Sequence, residues 1–470
     1  MTLEDRYVEM TTKPVKVLVC QMAVPTIIAM VTTALYNVVD AAFIGRLSTE
    51  GTAGIGISFA YMTFIQALGF FFGHGSGNYI SRALGAQQPS SASVMATVGF
   101  FTPFLLGLLA AVAGLSNLSG LSRLLGAPPE VVPYANDYLR YIVAATPFMM
   151  SALTLNNQLR LQGNARLGMV GIVSGAVLNI ILDPLLIFGL DMGVSGASLA
   201  TAVSQLFSWG LLLRGTFRPE SVHIDLVGSW KCVVGSARGN MLPATRCPLL
   251  TIYYEIFRGG LPSLFRQVFN CAAAVSLNYC AAYYAAPGQE ASAVAAFAVV
   301  TRIMMFTFSV VLGFCQGFQP VCGYNYGAGR YGRVRESWLF TMKVGTAFLL
   351  VISLVCFLFA PQVMRLFRAE DAVMVQIGAT TLRWQCAVFP LIASFTATGM
   401  LFQNIRLTGP ATLLSISRNG LFFLPAVLLL PLCFGLQGVQ AAQAVADLCT
   451  FFLGLPYALW ISRKLKRGMQ

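Results

Sequence analysis

Charge is what this sequence has least of. Lys, Arg, Asp and Glu together make up 10% of its 470 residues, whereas a soluble globular domain carries about 25%. That shortage runs the whole length of the chain and leaves no stretch for a separate water-soluble domain. Only two histidines are present, and none of the eleven cysteines forms a C-x-x-C pair. Most of the cysteines (Cys20, Cys271, Cys280, Cys315, Cys356, Cys433 and Cys449) sit within apolar runs and read as small buried hydrophobes rather than disulfides or metal ligands. There is no G-x-x-x-x-G-K-[ST] phosphate loop and no H-E-x-x-H motif, which argues against an ATP-driven pump or a membrane metalloprotease. No enzymatic chemistry is indicated.

What fills the chain instead is hydrophobic side chains, 57% of the total. They fall into twelve predicted spanning helices at about 17–44, 52–80, 92–115, 132–154, 167–190, 195–217, 260–286, 291–321, 338–360, 374–401, 411–434 and 437–461. The expected fold is an all-α polytopic membrane protein, with the lipid bilayer as its surroundings. The N-terminus reads as having no cleavable signal peptide, since about sixteen mixed-charge residues precede an apolar run longer than an h-region of about 7–15 residues. The net charge of +13 does not call for nucleic acid, because the basic residues fall in short loops between apolar segments. With a cytoplasmic N-terminus, the inside collects Lys13, Lys16, Arg82, Arg160, Arg166, the 218–258 loop, Arg330, Arg333, Arg335, Arg406 and the C-terminal Arg463, Lys464, Lys466 and Arg467. The outside keeps mainly Arg46, Arg123, Arg140, Arg365 and Arg368. This bias predicts that both termini are cytoplasmic.

The sequence also repeats itself. Residues 190–206 align without a gap on 432–448, with seven of seventeen positions identical, Gly193 with Gly435 and Gly196 with Gly438 among them. Leu68-Gly69-Phe70 answers Leu312-Gly313-Phe314, Gly85-Ala86 answers Gly327-Ala328, and Pro147 answers Pro390. An offset near 240 residues predicts two pseudo-symmetric six-helix lobes in the same orientation, at 1–217 and 259–470, joined by a cytoplasmic linker at 218–258. Parallel repeats of this kind enclose a central site whose access switches as the lobes rock.

Two acidic residues stand inside spanning stretches, Asp40 in the first and Asp183 in the fifth. A carboxylate at that depth costs at least a few kcal/mol and rarely persists without a task. Each also reads, with less weight, as a helix-end residue facing the headgroups. Asn179 shares a helix face with Asp183, and Pro184 removes a backbone donor beside it. Thr201 and Asn156 or Asn157 can add neutral oxygens to a site for a dehydrated cation. If Asp40 lies close to Asp183, the two titrate as a unit and can exchange a proton, or a proton for Na⁺. The second half has Leu277 or Asn278 near the position of Asp40, and Pro425 or Ala426 near that of Asp183, so ion coupling falls to the N-terminal half.

Other polar residues are weaker signals. His74 reads as packed or hydrogen-bonded. Arg302, Arg418 and Asp447 suit interhelical pairing, and Gln316, Gln319 and Asn278 are candidates for a substrate cavity in the second half. Pro25 marks a kink in the first helix.

Taken together, these runs resemble the multidrug and toxic compound extrusion (MATE) transporters over about residues 14–462. The resemblance rests on Pro25 with Tyr36-Asn37-Val38-Val39-Asp40, Gly75-Ser76-Gly77, and Ser81 through Ala86. It extends to Asn156 through Asn164, the Asn179/Asp183 pair, Gly260-Leu261-Pro262-Ser263, Gly317 through Pro320 and Tyr324 through Ala328. The sequence is most similar to the bacterial branch containing the DNA-damage-inducible F-type proteins. The resemblance implies two six-helix lobes and export of lipophilic, often cationic, small organic molecules, driven by H⁺ or Na⁺ entering in exchange. It implies no cofactor, a monomer in the bacterial inner membrane, and a cation site of Asp40, Asn179, Asp183 and Thr201 with Asn156 or Asn157. It also implies that Pro25 bends the first helix as the site is protonated. A lipid-linked precursor flippase, which would want a cationic cavity, and a channel or receptor without a transport cycle are the rival readings.

Overall fold

A bilayer offers no hydrogen bonds, so a spanning backbone has to satisfy its own, and long helices result. The computed structural model describes residues 2–44, 49–225, 249–367 and 371–468, without the side chains at 37, 38, 40–53 and 55. Twelve long helical segments follow one another among the described residues. These are α1 (Val15–Ile44), α2 (Thr49–Gly85), α3 (Pro89–Ser116), α4 (Val132–Leu161), α5 (Ala165–Pro184, continued by a π turn at Leu185–Gly189) and α6 (Gly193–Thr216) in the first half. The second half has α7 (Leu249–Tyr283), α8 (Glu290–Gly327), α9 (Tyr331–Leu358), α10 (Ala372–Asn404, with a 3₁₀ turn at Phe389–Leu391), α11 (Thr408–Phe434, with a π turn at Ser417–Phe422) and α12 (Leu436–Lys466). Ten of the twelve are long and apolar enough to cross a membrane. The other two, α4 and α7, place Arg160 and Glu255 where they bond to neighbouring helices, Arg160 to the Gln316 carbonyl and Glu255 to Arg82.

Several helices outrun their predicted ends. The helix expected at 260–286 begins at Leu249, within the predicted connector, and the one expected at 291–321 continues to Gly327. These extensions carry polar residues, which is why hydropathy passes over them; each packs on protein through part of its surface, Ile252, Glu255 and Ile256 in the first and Cys322 through Asn325 in the second. A short N-terminal helix, Leu3–Thr12, precedes α1 and is capped by reciprocal bonds between Thr2 and Asp5. It bridges the halves. Arg6 bonds Asn164 and pairs with Glu220 at 3.6 Å, while Asn325 donates to the Met10 carbonyl at 3.0 Å and Arg330 to that of Thr11 at 2.6 Å.

Between the lobes, α1 packs along α8 and α2 along α7. Their close approach is set by glycines. A Cβ on Gly75 would strike the backbone of Ile256, one on Gly85 the backbone of Tyr324, and one on Gly317 the backbone of Ala23. Small residues let membrane helices come into backbone contact, gaining dispersion energy that lipid would otherwise supply. All of these contacts fall in the halves of α1, α2, α7 and α8 nearer the termini, so the molecule is sealed at that end. Gly317→Ala is therefore expected to lower the thermal unfolding midpoint of the solubilised protein, at a cost of about 1–3 kcal/mol from overpacking. Gly332→Ala, where an added Cβ meets nothing within 4 Å, serves as the control that stays at the wild-type midpoint.

Candidate functional site

The fifth helix places Asn179 and Asp183 one turn apart, and both are buried, at 2% and 0% exposure. The Asn179 amide nitrogen lies 3.3 Å from Asp183 Oδ1 and 3.4 Å from Thr201 Oγ1 on α6. Rotating that amide serves both of its ends: the N–H then donates to Asp183 Oδ2 at 3.1 Å, and the oxygen accepts from the Thr201 backbone N–H at 3.3 Å. Either way a neutral amide donates to the carboxylate. Proline at 184 cannot return an N–H to the carbonyl one turn back, and the helix widens into the π turn Leu185–Gly189 immediately beyond. Such turns recur at functional sites. Asp40 lies within α1, but its side chain is outside the described residues.

Asn156 and Asn157 do not join this group. Asn156 donates to the Gly168 carbonyl at 3.0 Å. Gly168 stands about 22 Å along α5 from Asp183 at 1.5 Å per residue. Asn157 donates to the Leu153 carbonyl at 2.8 Å and accepts from Arg160 at 2.8 Å. Both asparagines belong to the sealed end because α4 runs toward it while α5 runs away from it.

At that end Arg160 is the hub. It is 2% exposed and donates to the Gln316 carbonyl at 2.8 Å and to Gln319 Oε1 at 2.7 Å across the lobe interface, as well as to Asn157. His74 Nε2 lies 3.3 Å from it, and His74 Nδ1 lies 3.1 Å from the Phe70 carbonyl. Gln316 and Gln319 partner this inter-lobe arginine, Gln316 also borders a small gap beside Arg160 and Asn156, and Asn278 is exposed and is not among the residues lining the second lobe's cavity. Arg82 and Arg160, which read as loop cations in the sequence, are interface residues. Arg82 donates to the Asn404 carbonyl at 2.7 Å and pairs at 3.3 Å with Glu255, whose other oxygen engages Arg406. Pro25 is buried within a continuous α1, and its neighbour Thr26 donates to the Gly313 carbonyl of α8 at 2.7 Å.

The second lobe holds a cavity of about 310 Å³ between α7, α8, α10, α11 and α12. Arg418, in the π turn of α11, donates from Nε to Asp447 at 2.8 Å and stacks over Phe308 at 5.0 Å. A sequence reading leaves this pair unplaced, since nothing in linear spacing joins residues 29 apart on separate helices.

Two repeated six-helix lobes, sealed against each other at one end and holding a buried carboxylate in the first, define a two-lobed secondary transporter of the membrane. The MatE family model matches residues 25–185 and 262–428, and the chain belongs to that family. It is similar to the multidrug export protein MepA of Staphylococcus aureus (strain NCTC 8325 / PS 47), with 28% identity over 437 residues, covering 92% of this chain and 91% of that one. Among solved structures, it overlays on a multidrug resistance MATE family transporter in its outward-facing conformation with a TM-score of 0.87 at 26% identity, covering 98% of each chain. A MATE structure in the straight conformation gives 0.86 at 26% identity, covering 98% of this chain and 99% of that one.

Proposed function

We propose that the chain expels lipophilic organic compounds from the cytoplasm in exchange for H⁺ or Na⁺, by alternating access. The observation that carries the reading is Asp183, wholly buried and flanked by Asn179 and Thr201 at the start of a π turn. Keeping an ionised carboxylate out of water costs several kcal/mol, and an arriving proton or Na⁺ relieves that cost. Asp40 completes the ion site from α1, and Pro25 gives that helix a bending point. The coupling ion is cargo rather than a resident cofactor.

The work comes from differential affinity. An ion that binds one access state better than the other shifts the equilibrium between them, and a substrate that prefers the opposite pattern is exchanged for it. With both termini in the cytoplasm of a bacterium, the sealed end faces inward, as expected of a monomer in the inner membrane waiting for ions from outside. The name of MepA, a multidrug export protein, supports small organic molecules as the cargo. The lobes are residues 1–217 and 259–470, joined by 218–258, whose last residues form the start of α7. Transport rather than chemistry is the activity.

Efflux of two fluorescent lipophilic probes from proteoliposomes, one cationic and one anionic, under a pH gradient and a Na⁺ gradient imposed separately, tests the reading. Flux is expected to follow one gradient and to saturate with substrate. Flux indifferent to both gradients overturns it.

A further inference from the structure

The two lobes are alike in path and opposite in polarity. In the first, the carboxylate of Asp183 precedes the π turn of α5. In the second, the π turn of α11 itself holds Arg418 and Asn419, and both line the cavity of about 310 Å³. The repeat that aligns 190–206 with 432–448 sets Gln443 where Thr201 stands, and Gln443 also lines that cavity. No Asp or Glu is among its lining residues.

We infer that this C-terminal cavity binds an amphipathic organic anion, a carboxylate or phosphate monoester on an apolar body, with Arg266 of α7 anchoring the head group. Among the described residues no hydrogen bond or ion pair engages Arg266, although it lines a cavity in the interior of a membrane-spanning lobe. A guanidinium in such a place is expensive, and it is found where a pathway or a ligand uses it. Its planar fork suits carboxylate and phosphate oxygens. Arg418 is neutralised by Asp447 through Nε, and its two terminal nitrogens have no acceptor among the described residues. Among the described residues the cavity therefore carries one uncompensated positive charge and a second donor fork. Its walls of Met304, Phe308 and Phe395 would take the apolar body, and the volume lies at the lower end of the range for small-molecule sites. A lipophilic cation would meet repulsion here.

The inference rests on the transport reading and names a substrate class for it. An inside-negative membrane potential favours expulsion of an anion as well as entry of a proton, so both halves of such a cycle run with the field. Substrate and coupling ion would then act through the rocking of the lobes and would not compete for one carboxylate.

The test is equilibrium binding to the purified full-length protein in non-ionic detergent, by titration calorimetry, with 1-naphthoate and with 1-naphthylmethylammonium. The two probes share a ring and differ in charge. Naphthoate is expected to bind at least about tenfold more tightly. Arg266→Gln is expected to lose at least about tenfold in naphthoate affinity without weakening the ammonium, and Arg266→Lys to retain the preference for the anion. Equal or tighter binding of the ammonium by the wild-type protein overturns the assignment, and so does naphthoate binding that survives Arg266→Gln. The wild-type comparison stands even if a variant fails to fold. Lysophosphatidate and benzyl phosphate then compete with naphthoate. Tighter competition by the lipid assigns a lipid headgroup as the natural anion, and tighter competition by benzyl phosphate assigns a free organic anion. No gradient is present in this experiment, so its failure leaves ion-coupled efflux untouched, and failure of gradient dependence leaves binding untouched.

Discussion

Asp183→Asn is expected to reduce gradient-driven efflux to the passive leak of the liposomes while leaving the protein folded. The substitution is nearly isosteric, and an asparagine at 183 can still receive the Asn179 N–H that the carboxylate accepts at 3.3 Å. What it removes is the charge. Without that charge, neither a proton nor Na⁺ has differential affinity for the site, and a ligand that binds both access states equally shifts nothing. Efflux in proteoliposomes under the gradient that drives the wild type is the measurement, with thermal melting as the check on folding. Retention of substrate binding is expected, because the cavity of the second lobe lies apart from α5. A variant that still transports at the wild-type rate would remove Asp183 from the ion site.

Arg160→Ala should have the largest effect on the closed end of the molecule. Truncation leaves the Gln316 carbonyl, Gln319 Oε1 and Asn157 Oδ1 without the donor they share, in an interface where Arg160 itself is 2% exposed. A hydrogen bond to a charged group contributes about 1.5–3 kcal/mol, and a buried acceptor left alone loses its solvation as well. Losses within one network do not add, so about 3–5 kcal/mol is the expected total. Two consequences follow. The unfolding midpoint in detergent falls, and the population closed at the terminal end shrinks. Spin labels placed across the interface, on α2 and α7, read the second effect as a longer and broader distance distribution. An unchanged distribution would mean that the glycine contacts alone hold the lobes together.

How much of this was legible in the sequence depends on the reach of the interaction. The pair Asn179 and Asp183 was readable because helix geometry brings residues four apart onto one face, and nothing distant is needed. Thr201 was reachable as well, since α5 and α6 are joined by a short turn and lie side by side. Asn156 and Asn157 carry a weaker signal. Polarity inside a spanning helix marks them as important, but polarity carries no depth. Helix direction placed them at the opposite end from Asp183. Glu255 fell within the predicted connector at 218–258, and its two arginine partners, from α2 and the loop after α10, were not readable.

The sequence by itself determined that the chain crosses a membrane twelve times as two repeated halves. It did so because hydropathy and repetition are local or periodic, and because a bilayer leaves helices as the one open solution for such runs. It also determined which residues are costly in that setting. Only the tertiary structure decided what those residues meet. Arg160 became an inter-lobe hub, Arg82 and Glu255 a buried pair across the same seam, and Arg266 a cavity-lining cation with no partner among the described residues. The physical reason is that the cost of a buried charge is set by its surroundings in three dimensions, and those come from helices far apart in the chain.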